Sequence, residues 1–526
     1  MLAVGAALLA AAAAGSPAKN GGTFRVDLAA GFPGFDYIDP ALAFSPGAGP
    51  LIDAACGRLI APSDRVSRTQ RLVPDLATGF PRVSRNGKTY TYTVKKNARF
   101  NNGAPVTAAA FSHEIDRVLN HSMQSPGASY LADVLGAAKV TAGRANHAAG
   151  VQARGRTLTI RLAKPVGDLV ARLTATFFCA VPASLPIDPE GVGAPLPSAG
   201  PYYFSKYVPG RRVELRRNAH YGGSRVRHVN GFAVDLGDDE ATILSKIEHG
   251  DVDWGYVPNS DIAAKAEDYA ARYGINKGQF FVEPGGTFLR FFSLNSSRPL
   301  FRNNARLRRA LNFAIDRKAL QAQRGGRFAG TLTDQYLVPG IPGFRDARIY
   351  PLARPNVKKA RALAKGHLRS GDANLYVPRL ALAQAQIVQE DLAKIGLHVA
   401  IKALPGSAYF DAIATPGEPV DIAWYGAAPD YLDPYDMLSG ALLPQANGQN
   451  DAAYFNVPKY LHLLVKDARR TGPARYRAFG KLDVELARKQ APLLPYSADN
   501  QLVLVSKQVG CVNFNPLFDL EAVCLK

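Results

Sequence analysis

Residues 304–317 have the sequence NARLRRALNFAIDR, and they carry the strongest periodic signal in the chain. Apolar residues recur there at the spacing of one helical face; they are Leu307, Ala310, Leu311, Ala314 and Ile315. Charged residues fall off that face; they are Arg306, Arg308, Arg309 and Asp316. The pattern predicts one amphipathic helix from Asn304 to Leu320.

Strand and helix patterns alternate on both sides of this segment. Asn86-Gly87 is a preferred hairpin turn pair, and it joins Val83 to the alternating run 90–94. Further strands are predicted at 21–28, 157–162, 212–217, 231–236, 251–257, 397–401, 420–425 and 501–506. Further helices are predicted at 240–249, up to Lys394, at 460–469 and at 474–489. Such alternation favours an α/β fold with mixed sheets flanked by helices.

Length and charge narrow the classes of protein. A chain of 526 residues that is 47% hydrophobic supports about three to four structural units with large cores. Lys and Arg exceed Asp and Glu by 63 to 43, which gives a net charge of +20. The basic residues are spread along the chain without a block of five or more, so we expect a generally basic surface and no nucleic-acid partner.

The first residues are typical of a secretion signal. Leu2–Ala14 is an uncharged apolar run, and it ends in the small residues 11–17, which suit signal peptidase. The run is shorter than the roughly 20 residues that span a bilayer. No Lys or Arg follows Met1, which leaves open a start further upstream or an Ala-rich disordered segment. With residues 1–20 as signal peptide and no nearby Cys for a lipid anchor, we expect an exported protein that is at most peripheral to the membrane.

Four cysteines, Cys56, Cys179, Cys511 and Cys524, permit disulfides in an exported chain, with three possible connectivities. Asn and Pro within 512–523 favour a turn that brings Cys511 to Cys524, and this pairing leaves Cys56 for Cys179. No two cysteines have metal-ligand spacing and the nine histidines are isolated, so neither a metal site nor a cofactor is expected.

Sequence motifs for catalysis are absent. The chain contains neither Gly-x-Ser-x-Gly nor His-Glu-x-x-His, and no Gly-x-Gly-x-x-Gly follows a strand. The absence favours a binding protein over an enzyme. A secreted hydrolase would need a nucleophile–base pair that the sequence does not present, and an envelope sensor that signals through a partner is a further alternative.

Several ordered segments resemble the family 5 extracellular solute-binding proteins, which include oligopeptide-, dipeptide- and nickel-binding receptors. The segments follow one another in the family's order and together cover about residues 20–510. The Trp expected after Tyr221 is missing. The matching segments are Leu72–Ala77, Ala98–Ala108, Gly200–Tyr203, Arg216–Gly222, Gly250–Asp253, Asn304–Arg317 and Asp391–Leu397.

The resemblance implies a two-lobed, periplasmic-binding-protein-like fold of type II with an extra domain. Lobe one would combine 21–55, 196–285 and 490–526; the extra domain would be 56–195, and lobe two 286–489. The function implied is capture of a peptide or peptide-like solute in a cleft that closes by hinge motion, followed by delivery to the permease and ATPase of an ABC importer. A monomer is expected. A nickel chelate, a sugar or an opine is the alternative solute on the same fold.

The resemblance also implies a ligand-binding loop. Peptide-binding members pair an acidic residue with the α-amino group of the ligand, and here the matching loop is Asp430-Tyr431-Leu432-Asp433-Pro434, after Trp424. A carboxylate suits an ammonium group in a cleft of low dielectric. More residues separate Trp424 from Asp430 than the family pattern has, so Asp433 is a possible substitute. An Asx-Pro turn without a ligand role is the alternative.

Overall fold

The computed structural model describes residues 20–29, 34–63, 71–258, 261–443, 452–514 and 519–526. Residues 1–19 of the predicted signal peptide lie outside the described residues. The strands are β1 (Thr23–Leu28), β2 (Ile60–Pro62), β3 (Leu72–Pro74), β4 (Arg82–Val83), β5 (Thr89–Thr93), β6 (Val151–Arg154), β7 (Thr157–Arg161), β8 (Tyr202–Val208), β9 (Arg212–Arg217), β10 (Gly231–Leu236), β11 (Trp254–Tyr256), β12 (Phe280–Leu294), β13 (Gly330–Leu332), β14 (Asp372–Pro378), β15 (His398–Leu404), β16 (Ile422–Ala427), β17 (Leu493–Val505), β18 (Val509–Cys511) and β19 (Cys524–Leu525).

The helices alternate with these strands along most of the chain. They are α1 (Gly49–Ala55), α2 (Ala108–Leu119), α3 (Ala137–Thr141), α4 (Leu169–Arg172), α5 (Glu240–His249), α6 (Ile262–Tyr273), α7 (Ala305–Ala314), α8 (Arg317–Gln323), α9 (Val357–Ala364), α10 (Leu382–Ala393), α11 (Gly406–Ala414), α12 (Pro434–Leu442), α13 (Pro458–Ala468) and α14 (Gly472–Lys489).

A large mixed sheet runs through both halves of the molecule. Its strand order is β15-β14-β16-β12-β17-β11-β1-β10-β9-β8, with β13 beside β17. β1 is parallel to β10, and β14 is parallel to β15, whereas β12 and β17 are antiparallel to each other. The long strands β12 and β17 pair with each other along most of their length. β17 also pairs with β11 at its C-terminal end, and β12 pairs with β16 at its C-terminal end, so the two strands join the halves. This arrangement confirms the predicted two-lobed α/β fold with mixed sheets flanked by helices.

A separate four-stranded antiparallel sheet, β4-β5-β7-β6, packs against α2 around its own hydrophobic core. The predicted Asn-Gly hairpin lies in this sheet, where β4 pairs with β5 and Gly87 has a φ of +68°, a value that glycine adopts without strain. The sheet falls within 56–195, the predicted extra domain. The exact domain boundaries stay a prediction.

The predicted single helix from Asn304 to Leu320 is wrong, because the chain breaks after α7. Ile315 is extended, with φ −72° and ψ 141°, and Asp316 caps α8 by accepting the Ala319 N–H at 2.9 Å. A side-chain cap of this kind competes with helix continuation. Arg308, expected off the apolar face, is also buried, and it donates to the Gln490 carbonyl at 2.8 Å.

Two disulfides are present, Cys56–Cys179 and Cys511–Cys524, in the pairing favoured by the sequence. The first joins the residue after α1 to the segment that follows α4. The second closes the C-terminal pair β18–β19.

Candidate functional site

A cavity of about 300 Å³ lies where three parts of the chain meet. This volume is at the lower end of the range for small-molecule sites, about 300–1,000 Å³. Lobe-one residues on its wall are 43–45, 49, 50 and 53, with Asp519 from the C-terminal segment. Residues 58, 62, 130 and 174–177 come from the predicted extra domain, and 428–432 come from lobe two.

A continuous row of aromatic rings crosses this cavity. Phe44 stacks on Phe177 at 6.3 Å between ring centroids, Phe177 lies 5.8 Å from Tyr130, and Tyr130 meets the edge of Tyr431 at 5.7 Å. Phe44 is 53% exposed although it is large and apolar. Aromatic walls with one accessible ring are typical of ligand pockets, because they bury apolar groups and order few rotatable bonds.

Asp430 lies on the cavity wall, in the loop between β16 and α12. Its side chain is accessible from the cavity, while the surrounding walls remove part of its hydration and raise its pKa. A hydrogen bond from Tyr130 opposes this rise by favouring the carboxylate. The Asp430 N–H donates to Asp436 Oδ2 at 2.5 Å, which fixes the loop. The structure thus presents a carboxylate to the cavity on a fixed backbone.

Tyr431 also lines the cavity, but its hydroxyl is committed to the protein. It donates to Asp168 Oδ2 at 3.0 Å, across the contact between lobe two and the predicted extra domain. Asp168 lies next to the guanidinium of Arg172, at 3.1 Å. Beside it, the Gly167 N–H donates to the Ala468 carbonyl at 2.9 Å. Tyr431 therefore contributes its ring to the cavity and its hydroxyl to this contact between the two parts.

Asp433 faces the protein interior and does not line the cavity. Arg475 donates to both of its oxygens, from Nη2 to Oδ1 at 2.7 Å and from Nε to Oδ2 at 2.9 Å. The Tyr435 N–H also donates to Asp433, which caps α12. Since Arg475 and this cap already occupy the carboxylate, the geometry does not support Asp433 as a substitute for Asp430, and its ligand role stays an unsupported prediction.

Trp424 is buried in the lobe-two core and is likewise absent from the cavity wall. Its Nε1–H donates to the Tyr496 hydroxyl at 3.1 Å, and the Arg290 guanidinium lies 4.9 Å above its ring. Arg290 is in turn paired with Asp499 at 2.7 Å. Trp424 supports β16, which carries the 428–432 loop, and a direct ligand contact for it stays a prediction.

The wall opposite lobe two contains polar residues that the sequence did not single out. Asp53 of α1 forms an ion pair with Arg58, and both residues line the cavity. The Arg58 N–H donates to Asp75 Oδ2 at 3.1 Å, and Cys56–Cys179 anchors the adjacent backbone. These residues are isolated in the sequence, and only their spacing from the Cys56-Gly57 pair could have drawn attention to them.

None of the groups of His, Cys, Asp and Glu in the described ranges is arranged to hold a metal ion. Over the same part of the chain, no helix combines the length and the apolar character needed to cross a membrane.

Comparison with known proteins identifies the architecture around this cavity. Residues 71–449 match the model of the bacterial extracellular solute-binding proteins, family 5. The chain belongs to this family. The match covers most of the chain, including the 428–432 loop and residues 130 and 174–177 of the cavity wall.

Named members of the family 5 proteins align along most of their length. The oligopeptide-binding protein OppA of Bacillus subtilis is 24% identical over 413 residues, which is 74% of this chain and 73% of OppA. The solved structure of the clavulanic acid biosynthesis oligopeptide-binding protein 2 superposes with a TM-score of 0.83 at 23% identity, covering 96% of each chain. The periplasmic murein tripeptide-binding protein MppA, in an unliganded open form, gives 0.78 at 19% identity, covering 97% of this chain and 99% of MppA. At these identities the two solved structures show the fold.

Proposed function

We propose that this family 5 protein is the extracytoplasmic receptor of an ABC importer and that it captures short peptides in the cavity between its lobes. The observation that carries the proposal is the accessible carboxylate of Asp430, held beside Tyr130 and the aromatic row. The relatives named for oligopeptide and murein tripeptide binding support a peptide over a sugar, an opine or a nickel chelate.

The chemistry of the cavity suits the α-ammonium group of a peptide. Asp430 is a hydrogen-bond acceptor in a partly desolvated place, where an ion pair is stronger than in water. Tyr130 supports the ionised form, and the aromatic rings can bury the first side chains of the ligand. The role of the protein is then binding and release, not catalysis, and closure of the lobes would enclose the peptide.

Isothermal titration with tripeptides tests this proposal. Wild-type protein should bind at one site, and N-acetylation of the ligand should weaken binding about 10- to 150-fold, because a charge-assisted hydrogen bond contributes about 1.5–3 kcal/mol. Asp430→Asn should bind the free-amino ligand as weakly as wild type binds the acetylated one. A bound peptide should also raise the unfolding midpoint, with about 2.7 kcal/mol gained at one hundred times Kd.

Asp411→Asn is the matched control, since Asp411 is an exposed aspartate of α11 away from the cavity. This variant changes the net charge equally and should bind as wild type does. Peptide affinity that is insensitive to both N-acetylation and Asp430→Asn would contradict the role of Asp430. Thermal stabilisation by a sugar, an opine or a metal chelate, with none by peptides, would contradict the peptide assignment.

We also infer that residues 1–20 direct export and are removed, that the mature protein is a monomer, and that it docks on a permease served by an ATPase. The apolar run Leu2–Ala14 and the family's extracellular members support this location. N-terminal sequencing of the protein recovered outside the cytoplasm tests the cleavage, because an intact Met1 would contradict it.

A further inference from the structure

We infer that Asp53 is a specificity-determining residue, which pairs with a second cationic group on the ligand, so that the preferred peptides carry a basic side chain. The inference rests on the proposed peptide function and adds a substrate class to it. The α-ammonium group would meet Asp430 on lobe two, and the side-chain cation would meet Asp53 on lobe one.

Asp53 is held rigidly at the cavity wall. Gly49, Pro50 and Asp53 lie on one face of α1 and all line the cavity. The Asp53 carbonyl accepts hydrogen bonds from Arg225 Nη1 at 2.9 Å and from the Cys56 N–H at 3.2 Å, so its backbone is fixed at the end of the helix. Its side chain is 36% exposed, which leaves part of the carboxylate open to the cavity.

Arg58 positions this carboxylate without covering it. The guanidinium pairs with Asp53 Oδ1 through Nη2, while the Arg58 side chain itself is only 4% exposed. Its Nε–H has no acceptor among the described residues, so the protein alone does not fully satisfy this ion pair.

The charge on the cavity wall favours a cation. Among the described residues, three carboxylates line the cavity, those of Asp53, Asp430 and Asp519, against one guanidinium, that of Arg58. This local excess of negative charge occurs in a chain whose net charge is +20. Attraction of a ligand cation therefore comes from this wall and not from the protein as a whole.

The aromatic row accounts for the rest of a basic side chain. Phe44 of lobe one and Phe177 of the extra domain line the same cavity as Asp53, and the ring of Phe44 is accessible. The methylene stem of Arg or Lys packs well on such rings while its charged end reaches a carboxylate. An apolar side chain would gain the packing alone.

Three tripeptides with one arginine among alanines, and their citrulline counterparts, test the inference by isothermal titration. Citrulline has nearly the shape of arginine but carries no charge. Wild-type protein should bind at least one arginine peptide about 10-fold or more tightly than its citrulline partner. Asp53→Asn should remove this preference and keep the sensitivity to N-acetylation, and Asp411→Asn should keep both.

The outcomes separate the two proposals. Equal affinities for every arginine–citrulline pair in wild-type protein would overturn the role of Asp53 even if Asp53→Asn failed to fold, while the N-acetylation effect would leave the peptide function standing. A preference that survives in folded Asp53→Asn would equally overturn it. Absence of binding by every peptide would remove the peptide function and this inference together.

Discussion

Replacing Arg475 by Met should destabilise the contact between lobe two and the extra domain. Arg475 donates two hydrogen bonds to Asp433 and lies 3.6 Å from Asp168, and all three side chains are buried. Met keeps most of the volume and removes the cation. Asp168 retains Arg172, whereas Asp433 loses its only guanidinium among the described residues. The substitution therefore removes one partner of a buried ion pair, which should lower the free energy of unfolding by about 3–5 kcal/mol.

The loss should depend on pH. Burial already raises the pKa of Asp433, and Arg475 opposes that rise. Without Arg475 the pKa rises further, so the folded variant takes up a proton that the unfolded chain does not hold. A group with a raised folded pKa contributes stability at low pH that is lost as the pH rises. Relative to wild type, the free energy of unfolding of the variant should therefore be lowered more at pH 8 than at pH 5.

Urea-induced unfolding followed by fluorescence measures both effects. The two tryptophans report on different halves, since Trp254 is in β11 of lobe one and Trp424 in β16 of lobe two. Arg470→Met is the control, because Arg470 is 45% exposed and its pairing with Asp467 should contribute only about 0–1 kcal/mol. A loss in Arg475→Met that is no larger than in the control, or that is equal at pH 5 and pH 8, would refute the reasoning.

Two further predictions concern stability. Burial raises the pKa of Asp483 to about 7, so the free energy of unfolding of the wild type should fall between pH 4 and pH 7, by about 1.4 kcal/mol per unit of pKa difference. Asp483→Asn should remove this pH dependence. Equal slopes in urea titrations of both proteins would contradict the prediction. Replacing Cys56 and Cys179 by Ser should cost about 2 kcal/mol more than replacing Cys511 and Cys524, because the loops closed span 123 and 13 residues. Denaturant unfolding of the two double variants checks this, and equal losses would indicate that loop entropy does not dominate.

The sequence predicted features that depend on local pattern. The helix 240–249 matches α5 residue for residue, and Gly250 ends it with a φ of 86°, since an apolar stripe and a glycine stop are both local signals. The break at Ile315 was missed because the Asp316 cap overrides a continuous apolar periodicity. The Asp316 cap is thus the reason that this segment forms two helices, α7 and α8, and not one.

The cleft could be predicted on one side only. The loop that carries Asp430 was found through a motif, but its partner wall comes from Asp53, Tyr130 and Phe177, which are far apart in the sequence and match no pattern. Asp430 and Asp433 are the same residue type in the same loop, so the sequence alone does not distinguish their roles. They differ because Arg475, 42 residues further along, reaches Asp433. Tertiary contacts of this kind carry no signal in a single sequence.

The position of β17 in the large sheet determines the order in which parts of the structure can form. This strand lies in the middle of the large sheet, between β12 and β11, yet it is formed by residues near the end of the chain. A nascent chain can assemble the small sheet β4-β5-β7-β6 early, but the large sheet stays divided until residue 505 is available. Contacts between residues so far apart in the sequence form slowly, because the entropy cost of closing the long loop precedes the gain from strand pairing. Asp519 on the cavity wall follows β17 in the sequence, so the cavity is completed only after the strands of the large sheet are available, whereas the small sheet needs none of these residues.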